Sequence, residues 1–537
     1  MSGGCEGESI YEGYIPSRLG DEAKGDRQEA RIMTNSQRVI VNTTAQYART
    51  IINVCLSLYS TRLILSALGQ SDYGIYSVVA GVIAMLSFVT NALVITTQRY
   101  LSISHGKKDA EAVHQVFGNS MLLHLLIGST IAIILGLCGK WITHDLLNIE
   151  AGREVAAMWV YFAAVGMVLL SFITAPIRAL FIARENIVYI SIVDVIDGIL
   201  KLLIAIGLSH INHDKLMSYA GLITGIHVLN LLLFSTYAAM KFEEFHIPRF
   251  CELNKRLMKE LSSFAGWTTY SAGCIIMRNQ GIAVVLNIFF GTIVNSAYGI
   301  AQQVLGAVQF LSTSILNAMN PQIMKAEGAG ERQKMVRLCE YESKYAFLLL
   351  SLVAIPLIAE MNTLLQWWLG EVPQHAVMFC RFILVASLCD QISVGLTSAN
   401  QAVGKIRVYT LVFYTFKLCV IILGWICLKQ GLPIVSIMWC YVVIELMTSL
   451  MRLPLMKWIA GIAIIPFCKH VFGRIILPLA AMIAVCYIMT NYLQFGYRVL
   501  LTVGASVIVG IMMIWLTALD KKEKDLIKQS IKGIIRK

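Results

Sequence analysis

Asn42, Gln46, Arg49, Asn53, Ser57 and Ser60 recur every three or four positions in an otherwise apolar stretch. At ~100° per residue they fall within about 80° of one another on a helix. A polar stripe of this length predicts a face turned toward a solvated cavity, with Arg49 in its middle. A guanidinium stays ionised at any relevant pH, and its planar fork makes paired hydrogen bonds to phosphate oxygens, so Arg49 suits a phosphorylated, anionic head group. The competing reading is a stripe that packs polar groups between helices. Arg62 lies on the opposite side of the same wheel, near the end of the segment, where its stem is expected to snorkel to an interface.

Three further sets carry chemistry. Asn295, Gln302, Gln309, Thr313, Asn317 and Asn320 share one face with Gly299 and Gly306; neutral amides of this kind bind sugar hydroxyls, and they also serve as interhelical glue. Trp267, Ser271, Cys274 and Arg278 line up on one face, and Arg278 is a second candidate for an anionic group, against snorkelling near the helix end. Asp194, Asp197 and Lys201 stand at i, i+3 and i+7, so they can neutralise one another as a structural ion cluster or act as a proton or sodium site. Asp390 with Arg381, Lys417 and Glu445 form the corresponding set later in the chain. Any coupling to a proton or sodium gradient would use one of these carboxylates, because the bound ion must change a charge that the rest of the molecule senses.

The elements that position these residues are membrane helices. Hydrophobic residues make up 57% of the chain and charged residues only 14%, against roughly 25% charged in a soluble domain, so little of it can be a water-facing domain. With ~20 residues per crossing of the hydrocarbon core, about fourteen spans are expected, near 40–64, 73–97, 116–138, 155–176, 187–209, 216–238, 263–289, 294–320, 344–365, 376–400, 408–428, 432–453, 475–490 and 499–518. An ionisable residue inside such a span is a functional candidate by default, since charge there is costly unless it faces protein or water.

An even number of spans puts both termini on one side. Thirty-three Lys and Arg lie in the tails and loops of that side, whereas the opposite loops hold five, namely Lys140, Arg153, Lys215, Lys429 and Arg498. By the positive-inside rule both termini of this multi-pass protein are expected in the cytoplasm. The net charge of +12 is then topology and contact with anionic lipid, not a footprint for nucleic acid. The first 32 residues lack the apolar core and cleavage site of a signal peptide, and Met33 is an alternative start. The thirteen Cys show no C-x-x-C or metal spacing and give no case for disulfides. No Walker or dinucleotide fingerprint and no H-E-x-x-H occurs. No cofactor or metal is expected, and an enzyme acting on sugar outside the membrane would need a larger external loop than any here.

Tyr73-Gly74-Ile75 is echoed by Tyr298-Gly299-Ile300, 225 positions later, and Val79, Gly81, Leu86 and Ser87 match Val304, Gly306, Leu311 and Ser312 in the same register. Seven identities in fifteen positions predict a duplication of six spans, which keeps orientation and gives parallel repeats. The expected fold is an all-α membrane protein with two six-helix lobes and a C-terminal helix pair. A tail over 1–37 precedes an N-lobe over 38–238, a cytoplasmic linker over 239–262 and a C-lobe over 263–453. A loop and the last two spans follow over 454–518, then a basic tail over 519–537.

The 6 + 6 + 2 arrangement and the Leu68-Gly69-x-x-x-Tyr73-Gly74-Ile75-Tyr76 signature resemble the Wzx-type polysaccharide transporters, over roughly Asn35 to Leu519. These flippases belong to the superfamily that also holds the multidrug and toxic compound extruders. The resemblance implies a V-shaped pair of lobes around a cavity that alternates between faces, and an undecaprenyl-pyrophosphate-linked oligosaccharide as cargo for O-antigen or capsule polymers. It transfers no individual binding residue. Drug extruders would be expected to rely on acidic residues, whereas the first span here offers Arg and no acid, which favours an anionic cargo. The expected substrate-binding set is therefore Asn42, Gln46, Arg49, Asn53, Ser271, Arg278, Gln302, Gln309 and Asn317, with Asp194, Asp197, Lys201, Asp390 and Glu445 as ion-coupling candidates. Expected partners are membrane lipids and the polymerase and chain-length machinery of polysaccharide assembly. An ion-coupled exporter of small amphiphiles and a non-transporting scaffold of that machinery are the rival readings.

Overall fold

The structure is a computed structural model that describes residues 35–84, 86–141, 152–246, 253–369, 371–492, 498–521 and 523–525. Most of the N-terminal tail, the middle of the 239–262 linker and the end of the basic C-terminal tail lie outside the described residues, as does the question of Met33.

The described residues form helices and no strands. Apolar runs of this length leave the backbone no polar partner but itself, and the helix satisfies every peptide group within one segment. In chain order they are α1 (Asn35–Ala84), α2 (Ser87–Lys107), α3 (Ala110–Trp141), α4 (Glu154–Ala183), α5 (Ile187–Gly207), α6 (Lys215–Lys241) and α7 (Lys255–Gly328). The second half continues with α8 (Arg332–Leu369), α9 (Ala376–Gln391), α10 (Val394–Val403), α11 (Ile406–Lys429), α12 (Val435–Ala460), α13 (Ile464–His470), α14 (Phe472–Tyr492) and α15 (Arg498–Met513), the last ending in a π-helical turn at Ile514–Ala518.

Eleven of the helical segments are long and apolar enough to cross a membrane, and α9 with α10, bent by 45°, makes a twelfth. Two of the fourteen expected spans fall outside that set. α5 carries three charges, Asp194, Asp197 and Lys201, and the segment near 73–97 is divided between α1, which ends at Ala84, and α2, which begins at Ser87.

The first helix of each half is broken at a single glycine. Gly69 (φ 79°, ψ 173°) breaks α1, a few residues before Tyr73, and Gly291 (φ 77°, ψ −170°) breaks α7, a few residues before Tyr298. A positive φ costs glycine no steric strain, so each helix changes direction at its glycine. Beyond Gly69 the helix carries the Tyr73–Tyr76 signature; the surroundings of Tyr73 and Gly74 are not described, and Tyr76 packs edge-on against Tyr219 of α6 with ring centroids 4.9 Å apart.

Both ends of the described chain lie on one face of the bundle, called the terminal face below. There Asn42 donates to the carbonyl of Glu185, Lys325 reaches the Glu185 carboxylate, and Lys344 donates to the carbonyl of Ala518. On the opposite face Arg153 ties Asp72 to Asp214, joining α1 just past its break at Gly69 to the starts of α4 and α6. α14 and α15 pack on α8, outside the ring of C-lobe helices.

Candidate functional site

The polar face of α1 lines a cavity of about 620 Å³ that reaches across to the second half of α7. Gln46 and Arg49 come from α1, Gln98 from α2, Arg178 from α4, Asp194 from α5 and Asn317 from α7. A connected chamber of about 560 Å³ shares Arg49, Arg178 and Asp194 and continues along α1 past Asn53 to Ser57. The cavity therefore runs away from the terminal face along the stripe that begins at Asn42. Asn42 itself is buried at the terminal end, held by Glu185.

Two guanidiniums converge on one carboxylate in this cavity. Arg49 donates to Asp194 at 2.7 Å, and Arg178 grips both oxygens of Asp194 at 2.8 and 3.0 Å. One turn along α5, Asp197 pairs with Lys201 at 2.7 Å and accepts from Asn230 of α6 at 2.7 Å. The ionisable side chains lining the cavity other than His227 are thus three cations and two carboxylates, an excess of one positive charge. Each of the two arginines is about a quarter to a third exposed, so their faces not turned to Asp194 remain open to a ligand.

Arg178 was not among the residues expected from sequence. Pro176 reads as the end of a span, which places Arg178 in a loop; the structure carries α4 through Pro176 to Ala183 and turns Arg178 inward. A proline in a membrane helix kinks it more often than it ends it, because neighbouring groups satisfy the freed carbonyl. That is the signal by which Arg178 was findable.

Arg278 lies elsewhere. It is buried in the C-lobe and donates to Glu445 of α12, with the ring of Tyr441 4.8 Å from its guanidinium carbon. Lys417 of α11 bridges Glu445 at 2.7 Å and Asp390 at 2.9 Å, and Arg452 takes Asp390 at 2.7 Å. Five charges on α7, α9, α11 and α12 thus form one closed network, and Arg381 is not part of it; its guanidinium instead donates to the carbonyls of Ile358 and Ala359, next to the break in α8 at Glu360. Ser271 donates to the carbonyl of Thr268 within its own helix, and Gln302 to the hydroxyl of Tyr298. Gln309 and Asn317 stand on the same half of α7, of which Asn317 and Thr313 reach the cavity.

Between the lobes the terminal side is shut. Near the ends of α2 and α7 the two backbones touch reciprocally: a Cβ on Gly106 would sit 2.1 Å from the carbonyl oxygen of Lys325, and one on Gly328 would sit 2.2 Å from that of Ile103. Contacting atoms cannot approach so closely, so only glycine permits this seam. Beside it Glu185 binds Lys325 at 2.6 Å and Gln322 at 3.2 Å. Arg99 of α2 reaches the C-terminal end of α10, donating to the carbonyls of Gln401 and Ala402 while its guanidinium lies 4.7 Å from the rings of Tyr100 and Phe264. A cation at a helix C-terminus meets the negative end of the helix dipole.

The family described as Polysaccharide biosynthesis protein matches residues 36–327, more than half of the chain. The chain belongs to this family. No curated protein sequence matches the chain. Among solved structures, a MOP superfamily transporter from Pyrococcus furiosus, reported with a binding pocket of reversed polarity, superposes with a TM-score of 0.69 at 11% identity, covering 80% of this chain and 97% of that one. An outward-facing multidrug resistance MATE family transporter of the same superfamily gives 0.68 at 12% identity over the same shares. The MATE transporter ClbM in complex with rubidium gives 0.67 at 12% identity, again over 80% and 97%. At these identities the likeness establishes the fold alone. The chain is thus a multi-pass membrane protein of the polysaccharide biosynthesis family with a MATE-like fold.

Proposed function

We propose that this polysaccharide biosynthesis protein is a flippase that moves undecaprenyl-pyrophosphate-linked oligosaccharide units across the cytoplasmic membrane by alternating access, supplying O-antigen or capsule-type polymers. The observation that carries the reading is the pair Arg49 and Arg178 on the wall of an interlobe cavity whose other polar groups are mostly amides and hydroxyls. Two guanidiniums already converge on an oxyanion at hydrogen-bond distance, which is the geometry a pyrophosphate requires. The head group displaces Asp194 from the two arginines. Gln46, Asn53, Gln98 and Asn317 meet sugar hydroxyls, and the prenyl chain trails into lipid between the lobes.

With the termini in the cytoplasm, the orientation the charge distribution favours, the shut seam at Gly106 and Gly328 faces the cytoplasm, as in an outward-facing member of the cycle. Polymerase and chain-length proteins would then receive the cargo on the outer side. The test is movement of an undecaprenyl-pyrophosphate oligosaccharide in sealed vesicles to the leaflet where an added enzyme modifies it, by wild type and by Arg49→Ala. Movement by wild type and not by the variant is the expected result. Movement of neither lipid nor sugar by folded wild type, with efflux of cationic amphiphiles in the same vesicles, would replace the flippase reading by a small-amphiphile exporter using Asp194 and Asp197.

A further inference from the structure

Among the described residues, one buried carboxylate has no cation. Glu342 of α8 is fully buried, and neither of its carboxyl oxygens has a hydrogen-bond partner. It lies in the seam between α8 and α10, beside the buried Ser398 of α10. The seam is tight. Ser343 accepts the backbone N–H of Gly395 at 2.9 Å, and a Cβ on Gly395 would meet the Cys339 carbonyl oxygen at 2.1 Å.

The charged groups around this seam are committed elsewhere. Glu340 pairs with His470, Glu327 with Arg332, Lys344 with Glu523, Arg474 with Asp520 and Arg498 with Glu360. Asp390 and Glu445 are held by Lys417, Arg452 and Arg278, and α10 itself carries no titratable residue. An ionised carboxylate buried without a counter-charge costs far more than the neutral acid in the same place, so the packing seen here fits the protonated form. Asp194, Asp197, Asp390 and Glu445, by contrast, already have cations within 3 Å or closer and gain little from a proton.

The position gives such a proton a mechanical consequence. α10 is ten residues long, joined to α9 across a 45° bend, and its far end is the one that Arg99 of the other lobe clamps. A charge appearing at Glu342 favours water entering the α8–α10 seam, and a short helix displaced from α8 takes the carbonyls of Gln401 and Ala402 away from Arg99.

We propose that Glu342 is a proton-binding site whose occupancy seats α10 on α8 and so sets the Arg99 clamp between the lobes, linking proton exchange to opening of the terminal face. The step is a proton transfer between the Glu342 carboxyl and water, with no other co-reactant. It rests on the transporter fold and not on the identity of the cargo.

The experiment uses the full chain in phospholipid vesicles, without cargo, with spin labels placed through unnatural amino acids at the exposed Lys107 and Lys405, one on each lobe. Wild type is expected to move from a short to a longer label separation as pH rises, Glu342→Gln to keep the short separation throughout, and Glu342→Asp to retain the response. A Glu342→Gln variant that follows the wild-type curve, or a wild type with no pH response, overturns the proposal. Should Glu342→Gln not fold, infrared difference spectra of wild type decide: a protonated-carboxyl carbonyl band lost together with the short separation supports it, and no such band overturns it. A failure of the flippase reading would appear only in the cargo assay and leaves these distances unchanged.

Discussion

Arg49 and Arg178, on different helices of the N-lobe, bind the same carboxylate, Asp194, at 2.7 to 3.0 Å. The arrangement keeps two like charges together in an apolar bundle, and it presents them as a pair to anything that replaces Asp194. An anionic cargo therefore competes with an internal anion, which lets it be released as well as bound.

The first consequence concerns Asp194→Asn. With the internal competitor gone, inorganic pyrophosphate and undecaprenyl pyrophosphate are expected to bind the detergent-purified protein at least severalfold more tightly, while turnover falls because release slows. Binding by isothermal titration beside flipping in vesicles reads both. Unchanged affinity would remove the pair from the head-group site.

Arg178 should matter as much as Arg49. Arg178→Ala is expected to lower flipping at least tenfold with normal expression, and Arg178→Lys to recover only part of it, because an ammonium gives a point charge in place of a fork that grips both oxygens of its partner. Full activity in Arg178→Lys would show that charge alone is needed there.

How much of this was legible in sequence differs from residue to residue. The α1 stripe was readable because polar residues at helical spacing stand out against an apolar background, and most of it lines the cavity. Arg178 was hidden by Pro176, which looks like a helix end. Arg278 looked equivalent to Arg49 because both are arginines on a polar face in the first span of a half, but Glu445, Lys417 and Asp390 of its network lie more than a hundred residues away and nothing local announces them. Glu342 fell in a stretch read as the loop between spans, whereas α8 begins ten residues before it. Gly106 and Gly328 carry no mark at all: their significance is a tertiary approach, visible only when both helices are in place.

The C-lobe network predicts a stability effect without a binding effect. Glu445→Gln leaves Arg278 and part of Lys417 uncompensated in a buried site, and breaking one partner of such a pair costs about 3–5 kcal/mol. The variant should melt well below wild type in detergent yet, at temperatures where it is folded, bind pyrophosphate with wild-type affinity. Loss of that affinity in the folded variant would place Arg278 in the binding site after all.

The glycine seam predicts a trapped conformation. Gly106→Val puts side-chain atoms where the Lys325 carbonyl oxygen now lies, so the lobes cannot close on the terminal side. The variant is expected to fold, to show a longer separation between labels at Lys107 and Lys405, and to lose transport. A wild-type separation in this variant would mean that the seam yields by local adjustment.

On the opposite face, Asp214 predicts a pH dependence of stability. Burial alone would raise its carboxyl, but the N–H of Met217, which it caps at the start of α6, and the guanidinium of Arg153 together hold it below the usual value of 3.8. A depressed folded-state value means that the stabilisation is fully present above that usual value and is lost as pH falls through the lower, folded one. The melting temperature of wild type should therefore exceed that of Asp214→Asn by a constant margin from neutral pH down to about 5, where the unfolded carboxyl is still ionised, and the margin should shrink below about 4. An Asn caps nearly as well as an Asp, so the substitution removes the charge and keeps the cap; a difference independent of pH across that range would remove the charge on Asp214 from the account.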